Sequence, residues 1–106
     1  MKLTSLPKRA FKKNAEIYRL LANPFRLEIF NNIRNAELTV SELVSITGLR
    51  KANVSQHLAL LRSSSLVRSR SVGVNVFYHI TDPRIVEPCH ILHTLRSSRK
   101  FLAGII

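Results

Sequence analysis

The sequence predicts a mainly helical domain carrying one β-hairpin, in the order helix, helix, helix, helix, strand, strand, helix. Three observations predict it. Apolar residues recur at helical spacing along both ends of the chain, Gly48 interrupts two such stretches with a tight turn, and an alternating segment around Gly73 reads as paired strands.

Residues 1–10 form a basic N-terminal arm, with Lys2, Lys8 and Arg9 followed closely by Lys12 and Lys13, and Pro7 loosening the entry into the first helix. That helix shows Phe11, Ala15, Tyr18 and Ala22 at helical spacing, with Leu21 beside them. Asn23 and Pro24 mark a fresh start, because asparagine caps free amides and proline suits the first helical position. The second helix is expected to bury Phe25, Ile29, Phe30 and Ile33. Thr39 and Glu42 have the spacing of a capping box for the third helix, in which Leu43 and Ile46 supply the buried face. Gly48 supplies the positive φ that ends it. The fourth helix, residues 51–62, runs through Val54, His57, Leu58 and Leu61. Residues 39–62 are thereby a helix-turn-helix.

Strands follow at residues 66–71 and 74–80, with Val72 and Gly73 as the turn. Val74, Val76, Tyr78 and Ile80 share one face, expected to close the core, while Asn75, Phe77 and His79 share the other. Residues 66–80 are then a wing, and the whole is a winged helix-turn-helix. Asp82 and Pro83 open a last helix over residues 83–101, with Ile85, Val86, Cys89, Leu92 and Leu95 as its apolar side. Pro88 leaves two readings open there: a kinked helix from Pro83, or a regular helix that starts near Glu87. The apolar end, residues 101–106, either packs on a neighbour or frays.

A chain of 106 residues makes one small domain, marginal as an isolated monomer and helped by dimerisation. With 17 basic against 6 acidic residues and a formal charge of +11, it calls for a polyanionic partner, nucleic acid or an anionic membrane surface. No apolar run approaches the ~18 residues that span a bilayer, and residues 1–9 lack the apolar stretch of a signal peptide, so a cytoplasmic location is expected. Cys89 is the single cysteine, which excludes an intrachain disulfide and a four-cysteine zinc site but leaves a bond between subunits open.

The charge is also localised. Between Glu42 and Asp82 there is no acidic residue, whereas Arg50, Lys51, Arg62, Arg68 and Arg70 all fall inside the interval. At ~100° per residue along the fourth helix, Val54, His57, Leu58, Leu60 and Leu61 crowd one side. Lys51, Ala52, Ser55, Gln56, Ala59 and Arg62 take the other, where a DNA groove has access to them. Gln56 can pair bidentately with adenine, Ser55 can bond a base or a phosphate, Ala52 can touch a thymine methyl, and Lys51 and Arg62 can hold phosphate or guanine. Asn53 is a further candidate. On the wing, Arg68, Arg70 and Asn75 suit phosphate or minor-groove contact. His57 sits on the apolar side and is read as a satisfied, partly buried histidine.

These elements, with LANPFRLEIF at 21–30, ELTVSELVSITGL at 37–49, NVSQHLALLRSSSLV at 53–67 and VGVNVFYHI at 72–80, resemble the ArsR-type (ArsR/SmtB) winged-helix repressors over nearly the whole chain. The resemblance implies a homodimer joined through the first and last helices, binding double-stranded operator DNA and releasing it to an effector. Two positions depart from the family pattern. Arg50 stands where a small capping residue is usual, at a cost of ~1 kcal/mol, and Ser65 stands where glycine is usual. The family's sensor positions are mostly vacated: Thr39 and Ser41 replace a thiolate pair, Arg84 follows Asp82 where a histidine is expected, and Leu95 and Ser98 occupy the downstream ligand positions. Cys89, His90 and His93 remain as weak metal candidates, completed by Glu87 or a second subunit, with Cys89 alone as a redox candidate. No cofactor is required, and a metal ion enters only as an effector.

The expected function is therefore a homodimeric, sequence-specific repressor binding an inverted repeat. The alternative is a nonspecific basic nucleic-acid binder, nucleoid- or RNA-associated. Enzyme activity is not expected, since the chain has no phosphate loop, no paired carboxylates and no nucleophile with an evident base. On the leading reading, Gln56→Ala erodes sequence preference by ~1 to 3 kcal/mol, whereas Arg70→Ala weakens all duplexes alike. Binding titrations on a preferred and a random duplex separate the two effects.

Overall fold

A computed structural model describes residues 5–98. The elements are α1 (Lys8–Leu21), α2 (Pro24–Asn32), α3 (Val40–Thr47), α4 (Lys51–Ser63), β1 (Val67–Val72), β2 (Asn75–Ile80), a 3-10 turn (Pro83–Val86) and α5 (Glu87–Ser97). Helices α2, α3 and α4 surround a core of Ile29, Phe30, Ile33, Leu43, Val54, Leu58 and Leu61, closed by Leu66, Val67, Ile80 and Val86.

Local chemistry punctuates the chain where expected. Asn23 Oδ1 accepts from the Phe25 and Arg26 amides at 2.9 and 3.1 Å, with Pro24 in the first turn of α2. In the Thr39/Glu42 box, the Glu42 amide donates to Thr39 Oγ1 (3.2 Å) and the Thr39 amide to Glu42 Oε1 (3.0 Å). Gly48 adopts φ +73°, ending α3. Arg50 precedes α4 in extended conformation and makes no side-chain cap.

The end of α4 resolves the Ser65 departure. The Leu66 amide reaches the Leu61 carbonyl (3.1 Å) and the Ser65 amide reaches that of Arg62 (3.0 Å), the paired bonds of a Schellman ending, with Ser65 at φ +64°. Buried Leu61 and Leu66 give that motif its hydrophobic contact. Thr81 then ties the hairpin base to the same corner, its amide donating to Leu66 O (3.0 Å) and its hydroxyl to Ser65 O (2.6 Å).

The antiparallel hairpin pairs Val67 with Ile80 and Val72 with Asn75. Its loop is Gly73–Val74 rather than Val72–Gly73. Glycine takes the first loop position at φ +60° and Val74 keeps a negative φ, the type II′ arrangement that matches strand twist. The strands accordingly start at Val67 and Asn75, one residue later than the sequence suggested at each. Leu38 adds a short third rung, exchanging backbone bonds with Tyr78 at 2.8 and 3.1 Å.

Several burial expectations are corrected. Phe11 and Tyr18 face outward, and α1 packs instead through Ile17, Leu20 and Leu21, a stripe roughly 120° round the helix. Phe25, Ile46 and Leu60 are exposed because the inward stripes run through Ile29 and Phe30, through Leu43 and Val44, and through Val54, Leu58 and Leu61. Only the base of the hairpin meets the core: Ile80 is buried and Tyr78 half-buried, whereas Val76 and Val74 are exposed.

Both ends differ from their expected limits. Helix α1 begins at Lys8, inside the expected arm of residues 1–10, whose first four residues lie outside the described part. At the other end, the second reading of Pro88 holds. Pro83–Val86 is a 3-10 turn capped by Asp82, and α5 starts at Glu87, so Pro88 occupies the first turn, where its missing amide has no partner to lose. Helix α5 ends at Ser97, and the apolar residues 101–106 lie outside the described part.

A left-handed serine is strained where glycine is not. Ser65→Gly is expected to stabilise the fold by about 1 kcal/mol, read as a higher urea midpoint with an unchanged slope.

Candidate nucleic-acid interface

Helix α4 presents the face that its periodicity implied. Val54, Leu58 and Leu61 are buried, while Lys51, Ala52, Asn53, Ser55, Gln56, Ala59 and Arg62 are all exposed. The helix is held from behind by Arg26, which sequence reasoning overlooked. Its Nε donates to His57 Nδ1 at 3.2 Å and its Nη1 to the Leu20 carbonyl at 2.7 Å, joining α1, α2 and α4. His57 is half-buried as expected. Burial and the Arg26 charge beside it hold its imidazole below the ordinary histidine value, consistent with a neutral ring accepting at Nδ1.

On the wing, Arg68, Arg70 and Asn75 share one face of the hairpin with Phe77 and His79. Arg68 and Asn75 are exposed. Arg70 is engaged within the chain: its Nε lies 2.6 Å from Glu37 Oε2, and its guanidinium sits 5.6 Å from the Phe77 ring centre. The bond from Arg70 lowers the Glu37 pKa and in turn raises that of Arg70. Glu37 was also missed. It lies 33 residues away in sequence, and no local pattern signals the pair. Arg62 and Arg68, with Ser65 and Ser69, line a shallow polar groove that joins the end of α4 to the wing.

Helices α1 and α5 lie apart from this surface and contain no buried residue. Phe11 and Tyr18 on α1, and Ile91, Leu92 and Leu95 on α5, are exposed. Between the two helices a cavity of about 230 Å³ is lined by apolar side chains including Ile17, Leu21, Phe30 and Leu92.

The arrangement has clear counterparts. Residues 23–69 match the family model described as bacterial regulatory protein, arsR family. HlyU of Vibrio cholerae, named a transcriptional activator, is 35% identical over 83 residues, covering 78% of this chain and 77% of that protein. The chain belongs to the ArsR family. A solved structure of HlyU superposes with a TM-score of 0.75 at 32% identity, covering 87% of this chain and all of that one. PagR of Bacillus anthracis, named a transcriptional repressor, is 32% identical over 77 residues, covering 72% of this chain and 77% of PagR. A homodimeric winged helix-turn-helix DNA-binding domain from Mycobacterium bovis gives a TM-score of 0.76 at 25% identity, covering 92% of this chain and 94% of that one. Some relatives are longer: the chain spans 54% of each of two curated regulators that it matches at 36% identity.

Against the sensor positions implied by ArsR-family resemblance, Asp82 is committed elsewhere. Arg84 bonds both its oxygens, down to 2.7 Å, and holds its pKa at about 2. Cys89 is exposed, and His90 Nε2 lies 2.7 Å from Asn31 Oδ1 and 3.2 Å from Arg34 Nη1. Among the described residues of one chain no three His, Cys, Asp or Glu side chains converge as a metal site. No helix among the described residues is long and apolar enough to cross a membrane.

Because the folded chain disfavours a proton on His57 and the unfolded chain accepts one near pH ~6.5, the contribution of neutral His57 is present above that pH and lost as pH falls. His57→Gln retains an acceptor for Arg26 but does not titrate. Its melting temperature should decline less than that of the parent between about pH 7.5 and 5.5.

Proposed function

We propose that this chain is a homodimeric, sequence-specific DNA-binding repressor that places its two α4 helices in successive major grooves of an inverted-repeat operator. The observation that carries the reading is the outward face of α4, polar and basic from Lys51 to Arg62, continuing through a polar groove to Arg68 in a segment that lacks any acidic residue from 43 to 81. Gln56 and Ser55 read bases, Lys51 and Arg62 hold phosphate or guanine, and Ala52 and Asn53 lie within reach of the groove. Arg68 and Asn75 contact the backbone beside the wing. Arg70 has a divided role, because phosphate must compete with Glu37 for its guanidinium.

The second copy is assigned to α1 and α5. Their exposed apolar residues flank the cavity between the helices, and an apolar face on a small domain favours association. Repression is the mode shared with PagR, whereas HlyU is named an activator. We assign the chain no catalytic step and no required metal, and its site of action is the cytoplasm, where bacterial operator DNA lies.

Selection from randomised duplexes, followed by titration of the winner and of random DNA at one near-physiological salt, tests the reading. A twofold-symmetric winner bound about 10³-fold or more tightly is expected. Equal, steeply salt-dependent affinity for every duplex would instead describe a nonspecific nucleic-acid binder.

A further inference from the structure

The wing ends in bare hydrocarbon. Val74, the second loop residue, is 98% exposed, and Val72 and Val76 behind it are 48% and 38% exposed. Val72 pairs with Asn75 and Val76 with Ser71, so these two valines lie on opposite faces of the hairpin, one on each side of the tip. The fold does not require them. The turn depends on Gly73, whose φ is +60°, and a β-branched residue is a poor choice for a loop position. A polar residue at 74 would serve the hairpin equally well and would not expose apolar surface to water.

The surroundings indicate what meets this tip. Its shank carries the exposed Arg68 and, paired with Glu37, Arg70, and the Arg62 and Arg68 groove makes the hairpin continuous with the α4 face. An apolar point on a basic stem suits a narrow groove between two rows of phosphates. The DNA minor groove is about 6 Å wide, whereas two strands lie about 4.8 Å apart before side chains are counted, so the groove admits the loop side chain but not the hairpin.

Resting on the DNA-binding reading above, we propose that Val74 enters the minor groove flanking each α4 half-site and makes the protein select A·T pairs there. Val72 and Val76 pack against the two sugar walls. Guanine carries an N2 amine that stands in the middle of the minor-groove floor, while an A·T pair has no such group. A valine over that amine meets it sterically and strips its water without replacing the hydrogen bond. Adenine-rich steps also narrow the groove and deepen its negative potential, which favours a positively charged stem near its mouth.

Inosine isolates this effect, because it keeps guanine's major-groove edge and lacks the N2 amine. Each flanking pair of the selected duplex is changed in turn from A·T to G·C and to I·C, and affinities are measured for the parent and for Val74→Ser. Val74 is exposed, so that change removes no buried contact, and circular dichroism checks the fold. The parent is expected to lose about tenfold on G·C and to recover on I·C, while Val74→Ser binds all three within about twofold. Equal affinity of the parent for G·C and I·C flanks overturns the proposal, as does unchanged discrimination in Val74→Ser. A shift in oligomeric state with Val74→Ser, at constant flank preference, would give the tip to a protein contact and equally overturn it. Failure to select any duplex removes the DNA-binding reading as well, whereas selective binding indifferent to the flank removes this inference alone.

Discussion

Two backbone hydrogen bonds between Leu38 and Tyr78 are the constraint on which the arrangement of the interface depends. A two-stranded hairpin alone is marginal in water. Here the rung at Leu38 gives it a partial third strand from the segment that leads directly into the Thr39 cap of α3. On one side, the Glu37–Arg70 pair secures the middle of β1, and on the other, Thr81 secures the end of β2 to the Ser65 corner of α4. The hairpin is therefore pinned to both helices of the helix-turn-helix. A displacement of the wing would break bonds at α3 and α4 together, so the exposed face of α4 and the wing act as one rigid surface.

What could be read from the sequence follows the range of each interaction. The Asn23, Thr39/Glu42 and Gly48 signals act over a few residues and stand where they were expected. The outward face of α4 was equally legible, since one helical repeat and the buried trio Val54, Leu58 and Leu61 determine it. Arg26 and Glu37 were not legible, because each takes its meaning from a partner 31 or 33 residues distant. The loop was misplaced by one residue because Val72 and Val74 look alike in sequence, and only the positive φ required at the first loop position distinguishes Gly73–Val74.

The misassigned apolar residues have a common physical origin. Helix α1 carries two stripes: Ile17, Leu20 and Leu21 cover its own core, while Phe11 and Tyr18 do not. Helical periodicity registers both and cannot rank them, because it records hydrophobicity without naming the surface that will cover it. Nor do all positive charges count equally. Arg26 and Arg70 are engaged within the chain, by His57 and Glu37, so the 17 basic side chains are not all equally available to an anion.

The lack of any buried residue on α1 or α5 bears on abundance in the cell. Helix α1 is covered along one half-buried stripe and α5 has no buried residue, and helices with so little cover derive little stability from propensity alone. If a second copy covers their outer faces, the two helices are held more firmly above the concentration at which copies pair. Occupancy of a target would then rise more steeply than in proportion to the number of molecules. Below that threshold, unpaired chains would present frayed ends to cellular proteases, and dilution alone would shorten their lifetime.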